Sequence, residues 1–433
     1  MTTLAEVRLW GSSIGAVSLG EGEQVAAFQY DPAFIASGMQ LSPLAMPLSP
    51  RIYRFPELDR TTFHGLPGLL ADSLPDKFGN ALINAWLASQ GRTPNSFNAV
   101  ERLCYTGSRG MGALEFVPTT GPRLHDSARV DIDALVELAS QVLASRNELT
   151  TSFADDETAA ALKDILRVGT SAGGARAKAV IAWNPATNEV RSGQVQNGDG
   201  FEYWLLKFDG VSGNRDRELD DPQGYCAIEY AYYLMARAAG IEMSQCRLLE
   251  EGGRRHFMTR RFDRGADGSK LHMQSLCAMA HFDFNQAGAH SYEQAMQVIR
   301  QLGLPMQTRE EQFRRMAFNI VARNQDDHVK NIAFLMDKRG QWSLSPAFDV
   351  TYSYNPQGAW TAMHQMSLNG KRDGFTLEDF NACARIAGLK RGRAQAILDE
   401  VCQTVARWQE FADEAGVAER WSLQVMSHLR LKW

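Results

Sequence analysis

No stretch of about 18 uncharged apolar residues occurs in the chain. The opening MTTLAEVRLWG also lacks the basic segment and apolar core of a signal peptide. The expectation is a cytoplasmic protein that neither enters a membrane nor is secreted. Six cysteines are present, Cys104, Cys226, Cys246, Cys277, Cys383 and Cys402, but no CxxC pair occurs among them. Such scatter argues against a zinc site or disulfide framework and suits a reducing compartment. Charge of one sign is not in excess either, since 45 Lys and Arg stand against 50 Asp and Glu for a formal −5. Any nucleic-acid contact must therefore be local. Internal repeats and low-complexity tracts are missing as well.

What the chain has is length and apolar content: 433 residues, 44% hydrophobic, enough for a large core and two or three domains. Residues 1 to 120 are punctuated by Gly, Pro and Ser. Apolar runs at 7–10 and 14–19 flank Gly11-Ser12-Ser13, which reads as a hairpin-rich module. Helical patterns follow at 76–87 and 132–143, and a polar stretch at 147–158 reads as a linker or exposed loop. From 162 to 262 the pattern is strand, loop and strand, then one strongly apolar helix. Beyond residue 300 helical patterns dominate, interrupted by an apolar hairpin at 332–344. The expected divisions are 1–120, 121–262 and 263–433, in an α+β protein.

In the segment 308–324, Phe313, Met316, Ala317, Ile320 and Val321 recur on one helical face, and Thr308 and Glu311 have capping-box spacing. The polar loop Gln325-Asp326-Asp327-His328-Val329-Lys330-Asn331 follows, then a strand-like run and a turn that returns the chain to Ala347-Phe348-Asp349. Protein kinases place a catalytic Asp, four residues and a metal-binding Asn in one loop, with a second metal-binding Asp after a hairpin. Asp326, Asn331 and Asp349 have that spacing. Mg²⁺ on ATP phosphates takes hard oxygen ligands, and a separate carboxylate is needed to accept the hydroxyl proton. Lys330 is a candidate for neutralising charge on the transferred group. On its own, an Asp-Asp pair also suits a solvated turn, and His328 a loop hydrogen bond.

Upstream, Gly169-Thr170-Ser171-Ala172-Gly173-Gly174-Ala175-Arg176-Ala177-Lys178 offers backbone N–H groups for phosphate, with Lys178 adding charge. It is not a Walker A loop, because Ala175 follows Gly174 where that motif requires Lys. Lys207 sits in the apolar run Tyr203-Trp204-Leu205-Leu206-Lys207-Phe208, where a charge needs a buried partner. Glu229 is the only acid on the apolar helix at 225–239, so a Lys207–Glu229 ion pair satisfies both.

In the order GTSAGGARAK, YWLLKFD, Arg260-Arg261-Phe262-Asp263, NQDDHVKN and SPAFDV, the chain resembles the HipA family of bacterial serine/threonine kinase toxins. LPGLLADSLPDKFG and YTGSRGMGAL resemble that family's amino-terminal part. The resemblance implies a two-lobed protein-kinase-like fold with a small β-rich N-terminal subdomain and a mostly helical C-terminal lobe. It implies ATP and Mg²⁺ as cofactors, Asp326 as base, Asn331 and Asp349 as metal ligands, and Lys207 as the ATP lysine. Gly173, Gly174, Ala175, Arg176, Ala177 and Lys178 would cover the phosphates. Arg260, Arg261 and Phe262 would line the adenine side, with His328, Val329 and Phe348 also at the nucleotide. The family's hinge often begins with Glu, where this chain has Arg260. Ser171 matches an autophosphorylated serine. Implied partners are a HipB-like helix-turn-helix antitoxin, operator DNA through that complex, and glutamyl-tRNA synthetase as substrate. Arg385, Lys390, Arg391 and Arg393 are candidates for DNA phosphate contacts, or form a solvated helix face. A non-catalytic co-repressor and a small-molecule kinase remain open alternatives at this point.

Overall fold

The computed structural model describes residues 3–121, 130–144, 176–195, 197–211, 223–265 and 267–433. The first sheet is antiparallel with order β3-β2-β1-β4, built from β1 (Thr3–Leu9), β2 (Ser12–Leu19), β3 (Ala27–Tyr30) and β4 (Leu114–Val117). Ala5, Val7 and Leu9 are buried on one face of β1, as the period of two in a half-buried strand dictates. The β1–β2 turn falls on Trp10 and Gly11, both at positive φ, 50° and 82°. That pair of left-handed conformations matches the strand twist and accounts for the glycine.

The second sheet has order β6-β5-β7-β9-β8, from β5 (Lys178–Asn184), β6 (Glu189–Ser192), β7 (Glu202–Lys207), β8 (Cys246–Glu251) and β9 (Arg254–Arg260). Between β7 and β8 the chain forms the helix Tyr225–Ala238, which buries Tyr225, Ile228, Glu229, Tyr232 and Met235 among others. The third sheet, β10-β11-β12, joins His272–Ser275, Ala333–Met336 and Trp342–Leu344, inside an otherwise helical C-terminal region.

Two apolar cores organise these layers. One runs from the first sheet through the helices Tyr225–Ala238, Tyr292–Gln301, Met306–Val321 and Arg393–Val405. The other joins the inner face of the second sheet, through Ile181, Trp204 and Leu206, to Phe78, Leu82 and Ile83 of the helix Lys77–Ser89 and to Leu135 of Ile132–Ala144. The N-terminal 120 residues thus contribute to both cores. At Gly68 an added Cβ would lie 2.6 Å from the Ala278 carbonyl oxygen, so a side chain there would separate the N-terminal segment from the helix Leu276–Ala280.

One local expectation is corrected. The helix expected from Thr308 begins at Met306 after Pro305, ends at Val321, and has no side-chain cap. Proline presets φ and gives up no helical hydrogen bond at that end, so the start moves two residues upstream. Glu311 is a helix-surface residue instead, accepting from Arg315 Nε at 2.7 Å and from the Glu242 N–H at 3.0 Å.

Candidate active site

Lys178 and Lys207 are direct cross-strand partners on β5 and β7, and both side chains are buried. Two buried ammonium groups side by side require carboxylates, and three elements supply them. Glu229, 1% exposed, accepts Lys207 Nζ at 2.5 Å and Arg176 Nη1 at 3.1 Å. Asp349 accepts Lys207 Nζ at 2.5 Å from the opposite side of the cleft. Asp76, at the start of the helix Lys77–Ser89, lies 3.2 Å from Lys178 Nζ.

The two lysines differ electrostatically. Burial lowers the Lys207 pKa, but Asp349 and Glu229 together outweigh it and raise the ammonium above its ordinary value. Burial also lowers Lys178, and Asp76 and the more distant Asp349, opposed by Lys207, do not compensate. Burial likewise raises Asp76. Asp349 is resisted by burial yet held well below the usual carboxylate range by Lys207 and then Lys178. Its backbone is left-handed, φ 56°, a conformation uncommon outside glycine and accessible to Asp.

The loop after Met306–Val321 is fixed from behind by Ser353. Its hydroxyl accepts the Gln325 and Asp326 N–H groups at 2.8 and 3.0 Å and donates to Asn324 Oδ1 at 3.1 Å. Asn331, closing the short 3-10 turn Val329–Asn331, donates its Nδ2 to the Asp326 carbonyl at 2.9 Å. This leaves its side-chain oxygen for a cation. Asp326 and Asp327 are adjacent and different. Asp326 has 42% of its side chain exposed and accepts Trp360 Nε1 at 2.6 Å. Asp327 is 1% exposed and accepts Tyr292 Oη at 2.5 Å, His364 Nδ1 at 2.8 Å and the Gln365 N–H at 2.7 Å. Burial raises its pKa but His364 and the other donors lower it on balance, so Asp327 is a charged strut and Asp326 the presented carboxylate.

Other expected residues fall in several places. Val329 is buried, the His328 ring lies 5.4 Å from Phe284, and Lys330 Nζ sits 5.2 Å above the same ring. Phe262 and Phe348 approach each other at 5.6 Å, joining the end of the second sheet to the segment before Asp349. Arg260 Nη1 lies 3.5 Å from Glu202. The Arg261 guanidinium is committed to buried Asp263 through Nε and Nη2 at 2.9 and 2.7 Å, which leaves its side chain a structural part. Ala177 is buried at the start of β5. Gly173, Gly174, Ala175 and Ser171 lie outside the described residues. Arg385 pairs with Glu378, and Arg393 with Glu310 and Glu400; Lys390 and Arg391 are exposed. The pattern Asp-Lys-Phe-Gly marked Asp76 only as a helix start, and nothing in the sequence linked Trp360 or Ser353 to the loop.

A paired strand lysine and helix glutamate, facing an Asp, Asn and Asp set, define a kinase-like protein. Residues 170–409 match the HipA-like C-terminal domain and residues 5–117 the HipA N-terminal domain. The chain belongs to the HipA family. Among solved structures, the Shewanella oneidensis MR-1 toxin–antitoxin HipA, in complex with HipB and its operator DNA, aligns over 98% of this chain and 96% of its own. Its identity is 18% and its TM-score 0.67, which shows the shared fold. The Helicobacter pylori proinflammatory kinase CtkA aligns over 52% of this chain and 92% of its own, at 12% identity and a TM-score of 0.31. No curated protein matches the sequence. Among the described residues, no helix is long and apolar enough to cross a membrane.

Proposed function

We propose that this chain is an ATP- and Mg²⁺-dependent serine/threonine protein kinase acting as the toxin of a toxin–antitoxin pair. The observation that carries the reading is Lys207 Nζ, buried and bonded to Glu229 and Asp349. An ammonium has three donors; two are used, and the third has no hydrogen-bond partner among the described residues. That is the arrangement of a lysine kept charged and aimed at phosphate oxygens. Bound Mg²⁺ and ATP supply the transferable γ-phosphoryl group and the neutralisation of its charge.

The donor set fits that group. Asn331 Oδ1 and the Asp349 carboxylate are the hard oxygens Mg²⁺ prefers, and Asp349 stays ionised beside Lys207. Asp326, exposed at the loop surface, accepts the proton of the attacking hydroxyl. Lys330 would neutralise charge at the same mouth, and the family resemblance assigns the phosphates to the segment that ends in Arg176, Ala177 and Lys178. Arg260, through its backbone, and Phe262, through its ring, would line the adenine side. Ser171 is the proposed autophosphorylation site, where a dianion competes for the N–H groups that hold ATP phosphates. By family, the acceptor is glutamyl-tRNA synthetase, phosphorylated to stall translation and promote persistence. A HipB-like antitoxin would bring the chain to operator DNA for repression; the Shewanella HipA is in complex with HipB and its operator DNA.

The test is transfer from γ-labelled ATP with and without Mg²⁺, to the chain itself and to purified glutamyl-tRNA synthetase. Mg²⁺-dependent label on a serine or threonine is the expected result. No label on either protein or on any extract protein would sink the kinase assignment, and label on other proteins alone would remove the synthetase.

A further inference from the structure

Asp326 meets the cleft with its two carboxylate oxygens in unlike situations. Oδ1 accepts the indole N–H of Trp360 at 2.6 Å, with His328 Nε2 further off at 3.9 Å. Oδ2 has no hydrogen-bond partner among the described residues. Trp360 belongs to the stretch that follows Asp349, and the same stretch supplies Ser353, whose hydroxyl fixes the Asp326 backbone N–H. Base and metal-side carboxylate are therefore tied through one segment, which grips Asp326 at two points.

The grip has a chemical consequence. A carboxylate on a half-exposed loop rotates about χ2, and only one of its oxygens is then aimed at an incoming hydroxyl for part of the time. A charge-assisted N–H bond to one oxygen stops that rotation and presents the other. The indole itself does not depend on its N–H for its place. The Trp360 carbonyl accepts Gln365 Nε2, and the adjacent Thr361 carbonyl accepts Gln325 Nε2 at 3.1 Å, so the backbone is anchored to the catalytic loop without the side chain.

We propose that Trp360 is a positioning residue for phosphoryl transfer: its indole N–H holds Asp326 Oδ1 so that Oδ2 faces the acceptor hydroxyl. This rests on the kinase reading, with Asp326 as the base. Trp360 touches neither phosphate nor acceptor in this role and acts through Asp326.

The experiment compares wild type, Trp360→Phe, Trp360→His and Asp326→Ala in Mg²⁺-dependent self-labelling and in hydrolysis of ATP with water as acceptor. Trp360→Phe keeps an aromatic ring and loses the N–H, whereas Trp360→His keeps a ring donor. The expected result for Trp360→Phe is a fall in kcat of roughly 10- to 100-fold, the range of a hydrogen bond to a charged group. KM for ATP and the melting temperature should stay unchanged, and Trp360→His should recover part of the rate. Independently of turnover, the Trp360 indole N–H resonance in ¹⁵N-labelled protein should move in Asp326→Ala and in no Lys330→Ala control. Wild-type kcat in Trp360→Phe, a loss confined to KM for ATP, or an indole resonance indifferent to Asp326→Ala would each overturn the assignment. A wild type with no Asp326-dependent turnover overturns the kinase reading itself, and is recognised because Asp326→Ala then matches it.

Discussion

Two walls of the cleft handle charge in opposite ways. On the sheet side, Arg176, Lys178, Lys207, Asp76, Glu229 and Asp349 interlock, with ammonium or guanidinium nitrogens 2.5 to 3.2 Å from carboxylate oxygens. On the loop side, Asp326 has 42% of its side chain open to solvent and one indole as its side-chain hydrogen-bond partner among the described residues. A buried charge must be compensated or it is expelled, whereas a base must keep an oxygen available. On the proposed kinase reading, the first wall serves binding and rigidity and the second serves reaction. Asp327, one residue from Asp326, belongs to the first kind.

Substitutions on each wall should separate accordingly. Asp326→Asn should lower phosphoryl transfer by about 10²–10⁴-fold, the usual worth of general base catalysis, without shifting the melting temperature. Label transfer and calorimetry on one preparation check both, and an unfolded variant would place Asp326 with the buried wall. Asp327→Ala should do the reverse, costing about 3 kcal/mol of stability as Tyr292, His364 and the Gln365 N–H lose their shared acceptor. Urea unfolding reads this, and a midpoint equal to wild type would contradict the strut role.

Glu229→Gln is expected to have an intermediate effect. Loss of that charge leaves Lys207 with Asp349 alone as its bonded carboxylate among the described residues, so KM for ATP should rise about tenfold. Steady-state kinetics at varied ATP decide it, and a change in kcat alone would be the wrong sign for a binding wall. The smallest effect concerns groups outside both walls. Burial pushes His256 and His281 down to about 4 and His272 to about 3. His256 Nδ1 accepts the Asp209 N–H at 3.0 Å and His281 Nε2 the Gly68 N–H at 3.1 Å, which fixes both as neutral acceptors. The unfolded chain binds protons from pH 6.5 downward and the folded chain does not. Stability is thus complete above that pH and declines as pH falls toward 4. Urea midpoints at pH 7.5 and 5.0 should differ in that direction, and by less in His272→Leu.

The parts of the site legible in the sequence were those where a charge had no local remedy. Lys207 in an apolar strand and Glu229 on an apolar helix each required a partner, and each other was the economical solution. Asp326, Asn331 and Asp349 were legible by spacing, because the helix, loop and hairpin between them have fixed reach. Asp76 and Trp360 were not, since they arrive by tertiary packing from 102 residues before Lys178 and 34 residues after Asp326, with no periodicity to announce them. Arg261 was placed at the adenine side by the family resemblance alone, and the sequence did not show that its guanidinium bonds buried Asp263 two residues on. The helix start near Pro305 was misread because a capping-box spacing competed with a proline, and the proline prevailed.

The most direct measurement is equilibrium binding of Mg²⁺ and ATP to wild type and to Lys207→Met by titration calorimetry. Wild-type binding weakened at least about tenfold by Lys207→Met, with the fold intact by circular dichroism, is what a buried lysine held by Glu229 and Asp349, its third donor without a partner among the described residues, predicts. Equal binding by the two proteins, or none by wild type, would contradict it.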